Sequence, residues 1–356
     1  MLMPGSVKSA LLTSALAACI GGPALSGPVP YDGYQPPKDS LGHPDLTGVW
    51  SNSTYTRLER PAQYGNRLVL TEQEVALIEG RIKEREQLGL KPTDPKATVK
   101  DLPSDCSGGR KTCNYNAFFT DPGSKVMRVH GEPRTSLITT TENGKVPNDV
   151  NGRAHSHEFN PEDETPMPGQ ERPDPPGKND NPETRGLTER CVSYDTAPPA
   201  LPGLYNNNIM IQQSRDSVAI ESEQIHNARI VRLNAKHRTD GVREWGGDAI
   251  GWYEGNTLVV ETTGLEPRQI HFGGSDQMKI TERFTRVSPT RLHYAFTIDD
   301  PKTWAKPWGG EYEFTTSPGI YEYACHEGNY ALANILSGAR HREAEAAKQK
   351  SGDGAN

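Results

Sequence analysis

The second half of the chain is a succession of short runs in which large apolar residues alternate with polar or small ones. NIMIQQS, SVAIES, ARIVRL, AIGWYE, NTLVVETT, MKITERFTRV and RLHYAFTI follow one another between residues 208 and 298. Turn formers separate them, among them Glu254-Gly255 and Ser288-Pro289-Thr290. Alternation with period two puts Leu292, Tyr294, Phe296 and Ile298 on one side of a strand, the signature of a half-buried antiparallel pairing. Successive hairpins build a meander, and a long meander curls into a barrel or sandwich. The expected fold is therefore mainly β: an antiparallel meander closing into a barrel-like, lipocalin-like domain with a C-terminal helix. Leu46-Thr47-Gly48-Val49-Trp50 adds the Gly-x-Trp opening that such barrels have.

Helical signals are few. In TEQEVALIEGRIKEREQLG (71–89), Thr71 and Glu74 form a capping box, and mostly charged positions mark a surface helix. A second helix is expected over 330–347, capped by Asn329 and apolar only in its first two turns. The segment 27–100 reads as an N-terminal arm, and 101–342 as a single mainly-β domain. Residues 143–188, rich in Pro, Asp and Asn, read as a flexible excursion from that domain. The tail 343–356 reads as disordered. With 35 glycines and 29 prolines against 33% apolar residues, the composition suits a loop-rich globular protein.

Residues 1–26 carry one charge, Lys8, then ALLTSALAACIGG and the small-residue stretch ALSG, the pattern of an export signal. Two processing readings stay open. Leu16-Ala17-Ala18-Cys19 has the shape of a lipobox, which would leave Cys19 lipid-anchored, and Ala24-Leu25-Ser26 is an ordinary signal-peptidase site. The expected location is the periplasm, or the outer membrane as a lipoprotein whose only membrane attachment is a lipid on Cys19. Loss of Lys8 moves the formal charge from −7 to −8, which argues against nucleic acid as a partner. Four cysteines then remain, and in an oxidising compartment they allow three disulfide connectivities. Cys106–Cys113 with Cys191–Cys325 is the expected one.

Several blocks carry a resemblance: HPDLTGVW, PRTSLI, ERC at 189–191, LPGLYNNN, ESEQIHNARIV, GWYEGNTLVVETT, TERFTR, DDPKTWAKPW and YEYACHEGNY–NILSGAR. From about 37 to 342 the chain resembles a widespread, uncharacterised family of exported proteins of Gram-negative bacteria. The resemblance implies an exported protein and one fold unit, and it implies no reaction. HSHE at 155–158 falls outside those blocks.

The chain holds no Gly-x-Ser-x-Gly elbow, Ser-x-x-Lys, P-loop, Gly-x-Gly-x-x-Gly, Cys-x-x-Cys or His-Glu-x-x-His. What remains is His, Glu, Asp and Arg chemistry. Glu223 and His226 sit between two strand-like runs, and His326 and Glu327 follow Cys325 ahead of the last helix. A histidine oriented by a carboxylate moves protons near neutral pH, so these four are the expected catalytic residues. The alternative is structural: a cross-strand pair at Glu223 and His226, and helix-start hydrogen bonding at Glu327. Arg190, Arg229, Trp252 and Trp308 are the expected ligand-binding residues, although such aromatics also serve as core. HSHE with His226 or His326 could hold a metal, but that segment reads as loop, and no cofactor or metal is expected. The sequence thus points to an exported acid–base enzyme acting on a small organic or carbohydrate ligand. The alternatives are a non-catalytic ligand-binding barrel and an envelope interaction module.

Overall fold

Nine strands close into a barrel in the order β1-β11-β10-β9-β8-β7-β6-β5-β4. A computed structural model describes residues 33–89, 96, 121–154, 177–193, 198–269 and 272–353. The strands are β1 (Gly48–Ser51), β4 (Asn208–Gln213), β5 (Ser217–Ser222), β6 (Asn227–Leu233), β7 (Asp248–Glu254), β8 (Thr257–Thr263), β9 (Lys279–Ser288), β10 (Arg291–Asp299) and β11 (Trp308–Thr316). A small ribbon, β2 (Arg128–Val129) with β3 (Glu132–Pro133), stands apart from the barrel sheet. The expected mainly-β barrel with a C-terminal helix is the observed fold. Each expected strand run lies in one of the strands, because alternation sets which face of each is buried.

The Gly-x-Trp segment closes the barrel. β1 pairs antiparallel with β4 on one side and with β11 on the other, so part of the expected N-terminal arm is a barrel strand. Trp50 from this strand is buried, its Nε1 donates to the Leu46 carbonyl, and Arg286 stacks 5.5 Å from its ring. The inside is filled by large side chains: Trp50, Phe284, Tyr294, Phe296, Trp308, Tyr312 and Phe314 belong to one buried cluster. Rings of Tyr294 and Tyr312 lie 4.9 Å apart, and those of Phe272 and Trp308 meet edge-on at 4.9 Å.

The meander is not antiparallel throughout. β6 and β7 run parallel and share only two paired positions, Arg232↔Ile250 and Leu233↔Gly251. The reason is residues 234–247, a connection long enough to carry the chain back to the start of the next strand, as parallel neighbours require. Tight turns join the neighbouring pairs. Between β7 and β8 the loop is Gly255-Asn256, and Gly255 takes φ +61°, which glycine adopts without steric cost.

Helix α1 (Glu72–Gly89) opens with the expected capping box: the Glu74 carboxylate accepts from the Thr71 amide at 2.8 Å, and the Thr71 hydroxyl accepts from the Glu74 amide at 3.2 Å. Val75 packs with Leu70 and Val126, so the helix keeps a narrow apolar side. Helix α2 (Ala331–Asp353) corrects the reading of 343–356 as disordered, since its backbone stays helical to Asp353. Ala, Glu, Lys and Gln beyond 343 are good helix formers, and the pairs Arg340–Glu343 and His341–Glu345 brace the exposed surface. Among the described residues no helix is long and apolar enough to cross a membrane. The leader, Cys106, Cys113 and HSHE lie outside the described residues.

The weak parallel junction is braced from outside by Asp248. Its carboxylate accepts from Arg232 Nη2 at 2.5 Å and from the Arg238 amide at 2.8 Å, and it lies 2.8 Å from His237 Nδ1. Burial pushes the Asp248 pKa up, but the Arg238 amide, His237 and Arg232 together outweigh it and hold the group below the usual carboxylate range. A depressed folded-state pKa means stability that is present above the unfolded value of about 3.9 and lost as pH falls through the lower folded value. Asp248→Asn should lower stability at neutral pH by about 1–3 kcal/mol and flatten the acid limb of the stability curve below about pH 4. Urea denaturation at pH 7 and pH 3 measures both.

Candidate functional site: the disulfide-stapled rim

Two chain segments about a hundred residues apart meet at one end of the barrel. The first is the turn between β5 and β6, where Gln224–His226 makes a single 3-10 turn. Ile225 has φ 57° and ψ 21°, and His226 has φ 50°. A β-branched residue in the left-handed region is a true outlier, and such backbone costs on the order of 1–3 kcal/mol. Neighbouring contacts must therefore hold the turn.

Glu223 supplies them. It is 4% exposed. Its carboxylate accepts from Asn206 Nδ2 at 2.6 Å, Asn208 Nδ2 at 2.5 Å and the Tyr321 amide at 3.4 Å. Asn207, between those two asparagines, points its amide elsewhere, to the carbonyls of Asp121 and Gly203. LPGLYNNN is thus the clamp of Glu223. His226 is exposed, and its Nε2 accepts from the Tyr323 amide at 3.4 Å, which leaves the ring proton on Nδ1.

The second segment is the link from β11 to α2, which contains YEYACHEGNY. Its anchor is the Cys191–Cys325 disulfide, with Cα atoms 5.8 Å apart and a sequence separation of 134. That bond confirms one of the two expected pairings. Asn329 locks the same corner, with Nδ2 3.4 Å from Cys191 Sγ and Oδ1 accepting from the Ala331 amide at the start of α2. On the Cys191 side, Arg185 grips Glu189 through two hydrogen bonds of 2.7 Å. Arg340 of α2 donates to the carbonyls of Asn179 and Asp180.

The expected catalytic residues occupy unlike places on this rim. Glu223 and His226 touch the backbone of Tyr321 and Tyr323. His326 and Glu327 are exposed in the turn that follows Cys325, where the Asn329 amide donates to the His326 carbonyl and the Glu327 amide to the Ala324 carbonyl. Helix α2 is capped by Asn329 rather than by Glu327. Arg190 is half-buried beside the disulfide, its Nη1 3.5 Å from the Glu183 carbonyl.

The other expected ligand-binding residues are elsewhere. Trp252 lies on the outer face, its indole N–H donating to Glu254. Trp308 is core: it is buried, with Trp304 edge-on at 5.5 Å. Arg229 points inward, where its guanidinium binds both carboxylate oxygens of Glu282 and also donates to Thr262 Oγ1 at 3.1 Å. Tyr294 donates to the same Glu282 at 2.9 Å and accepts from the Ala200 amide at 3.0 Å. The Ala200 carbonyl accepts from Tyr312 and from Asn52 Nδ2. Burial, reinforced by the Glu282 charge, pushes both phenols well above the usual tyrosine range, so they are hydrogen-bond donors and not proton carriers.

Of this interior array the sequence singled out Arg229, as a ligand contact, and Tyr294, as a buried-face residue of its strand, but not Glu282. Glu282 in TERFTRV and Tyr294 in RLHYAFTI are the inward members of alternating strands, and an inward Glu is the one signal that could have exposed it. No family model, curated protein or solved structure matches the chain.

Because Arg229 and Glu282 neutralise each other in a dry interior, removing one strands the other. Arg229→Met should cost about 3–5 kcal/mol, and adding Glu282→Leu should restore most of it. A urea-denaturation double-mutant cycle reads this directly. Recovery would be absent if the arginine were held for a ligand rather than for the barrel.

Proposed function

We propose that the protein is an exported enzyme that acts on a small organic or carbohydrate ligand at the stapled rim, with His226 as its proton carrier. The observation supporting this most is the meeting of Tyr321 with Glu223 and of Tyr323 with His226, at a backbone turn strained in two consecutive residues. Strain maintained by the surrounding structure is concentrated at functional sites. His226 supplies the imidazole, which is exposed at the rim. Glu223 and its two asparagines hold the turn that aims it. His326 and Glu327, exposed one residue beyond the anchor at Cys325, are the second acid–base pair. Export is supported by the leader-like first 26 residues and by a disulfide, which persists in oxidising compartments.

One observation favours a second reading, a binding surface without catalysis. Tyr321 and Tyr330, 64% and 73% exposed, stand on the same loop, and exposed tyrosines serve as stacking platforms for sugars.

A panel of chromogenic glycosides and esters, with saccharide titrations followed by histidine NMR signals, separates these readings. The enzyme reading expects turnover that falls about 10²–10⁴-fold in His226→Ala. The melting temperature of that variant should stay within about 2 °C of the parent, since the ring is exposed. Turnover surviving in His226→Ala/His326→Ala would defeat the proton-carrier assignment. Saturable shifts without turnover, lost in Tyr321→Ala/Tyr330→Ala, would establish the binding surface instead.

A further inference from the structure

A second cluster lies on the outer face of the barrel, under the β2–β3 ribbon. The ribbon turns at His130-Gly131, both with positive φ (53° and 80°), the backbone of a tight two-residue hairpin turn. The tip is pinned: the His130 amide donates to Glu313 Oε1 at 3.0 Å, and Glu313 Oε2 accepts from Arg291 Nη1 at 2.6 Å. Beneath it, His293 of β10 pairs across the ladder with Glu313 of β11, and Glu311 lies two residues along the same strand face. His293 is 2% exposed, and its Nε2 is 3.2 Å from Glu311 Oε2. The rings of His130 and His293 have centroids 5.7 Å apart.

We infer that His130, His293 and Glu311 form a binding site for a divalent transition-metal ion of the zinc class. Each offers one ligand atom, and these atoms all lie within 4.8 Å of one another. Tetrahedral zinc with bonds of about 2.0–2.2 Å places its ligand atoms roughly 3.3–3.5 Å apart. The His293–Glu311 pair already has that spacing, and His130, on the hairpin tip, is the ligand that closes in. Two imidazoles with one carboxylate suit Zn²⁺ or Fe²⁺ and leave a coordination position open.

The surroundings agree with this chemistry. Glu311 uses its other oxygen, Oε1, to accept from Arg134 Nη2 at 3.2 Å, so Oε2 is oriented toward the histidines, as second-shell partners of metal carboxylates do.

None of its three ligands comes from HSHE or from the stapled rim, which permits a clean test. The full mature chain, freed of metal by chelator and titrated with Co²⁺ and then Zn²⁺, should bind one ion per chain. Visible Co²⁺ bands should be displaced by Zn²⁺. His130→Gln and Glu311→Gln, both at partly exposed positions, should each weaken Zn²⁺ binding by at least about tenfold. His155→Ala/His157→Ala should leave binding unchanged. Absence of saturable binding, or binding lost only in the His155/His157 variant, would overturn the proposal. Retention of full affinity in both His130→Gln and Glu311→Gln would do the same.

Discussion

The barrel depends on one ion pair placed where a barrel of this size otherwise has only side-chain packing. Arg229 comes from β6 and Glu282 from β9, so the pair spans the interior across the strands that include the two-position parallel junction. The donation from Arg229 to Thr262 adds β8 to the same connection. Outside, Asp248 ties the β6–β7 crossover to the strand ends through Arg232, Arg238 and His237. The β6–β7 junction, with only two paired positions, thus has charged side chains bracing it on both faces. Burying two charges costs several kcal/mol per ion before their attraction and hydrogen bonds offset it. That cost is tolerable here because every oxygen of Glu282 has a donor and the guanidinium meets three acceptor atoms.

The same pair decides what the interior can do. Tyr294 and Tyr312 extend from Glu282 to the backbone of Ala200, and Asn52 reaches the same carbonyl. A stretch of the chain itself therefore occupies the polar end of the barrel, while Trp50, Phe284, Phe314 and their neighbours fill the rest. A ligand-holding barrel needs an open lumen, and a packed one relegates recognition to loops and outer faces. The rim, where Glu223 and His226 meet the stapled loop, and the ribbon, under which His293 is buried, both lie outside this packed interior.

What could be read from the sequence followed from local pattern. Alternation in RLHYAFTI and TERFTRV marked the strands and their inward faces, and the Thr71/Glu74 box marked the first helix. The Cys191–Cys325 bond was one of the pairings that Cys106, Cys113, Cys191 and Cys325 allow. What could not be read was non-local register. Nothing in 234–247 announces a parallel neighbour rather than a wide hairpin, and nothing in the Gly-x-Trp stretch says that β1 is the closing strand. His293 looked like an outward polar residue of an alternating strand. It is buried because a two-residue ribbon more than a hundred positions earlier folds over it. Arg229 and Trp308 looked like ligand contacts because cations and indoles are common in both pockets and cores, and only the partner across the barrel distinguishes the two.

The rim and the ribbon share a physical logic that separates them from the barrel. In each, a residue sits in left-handed backbone beside a chemically useful side chain: Ile225 and His226 at the rim, His130 at the ribbon tip, Cys191 at the staple. A buried carboxylate anchors each: Glu223, at the start of the rim turn, bonds Asn206, Asn208 and the Tyr321 amide, and Glu313 accepts from the His130 amide. Local sequence alone would let both turns relax, since neither has the propensity to stay where it is. The barrel provides the rigid strands, the two carboxylates convert that rigidity into fixed turn geometry, and the disulfide keeps the outermost loop from drifting off. Stability is in this way spent at two small places on the surface.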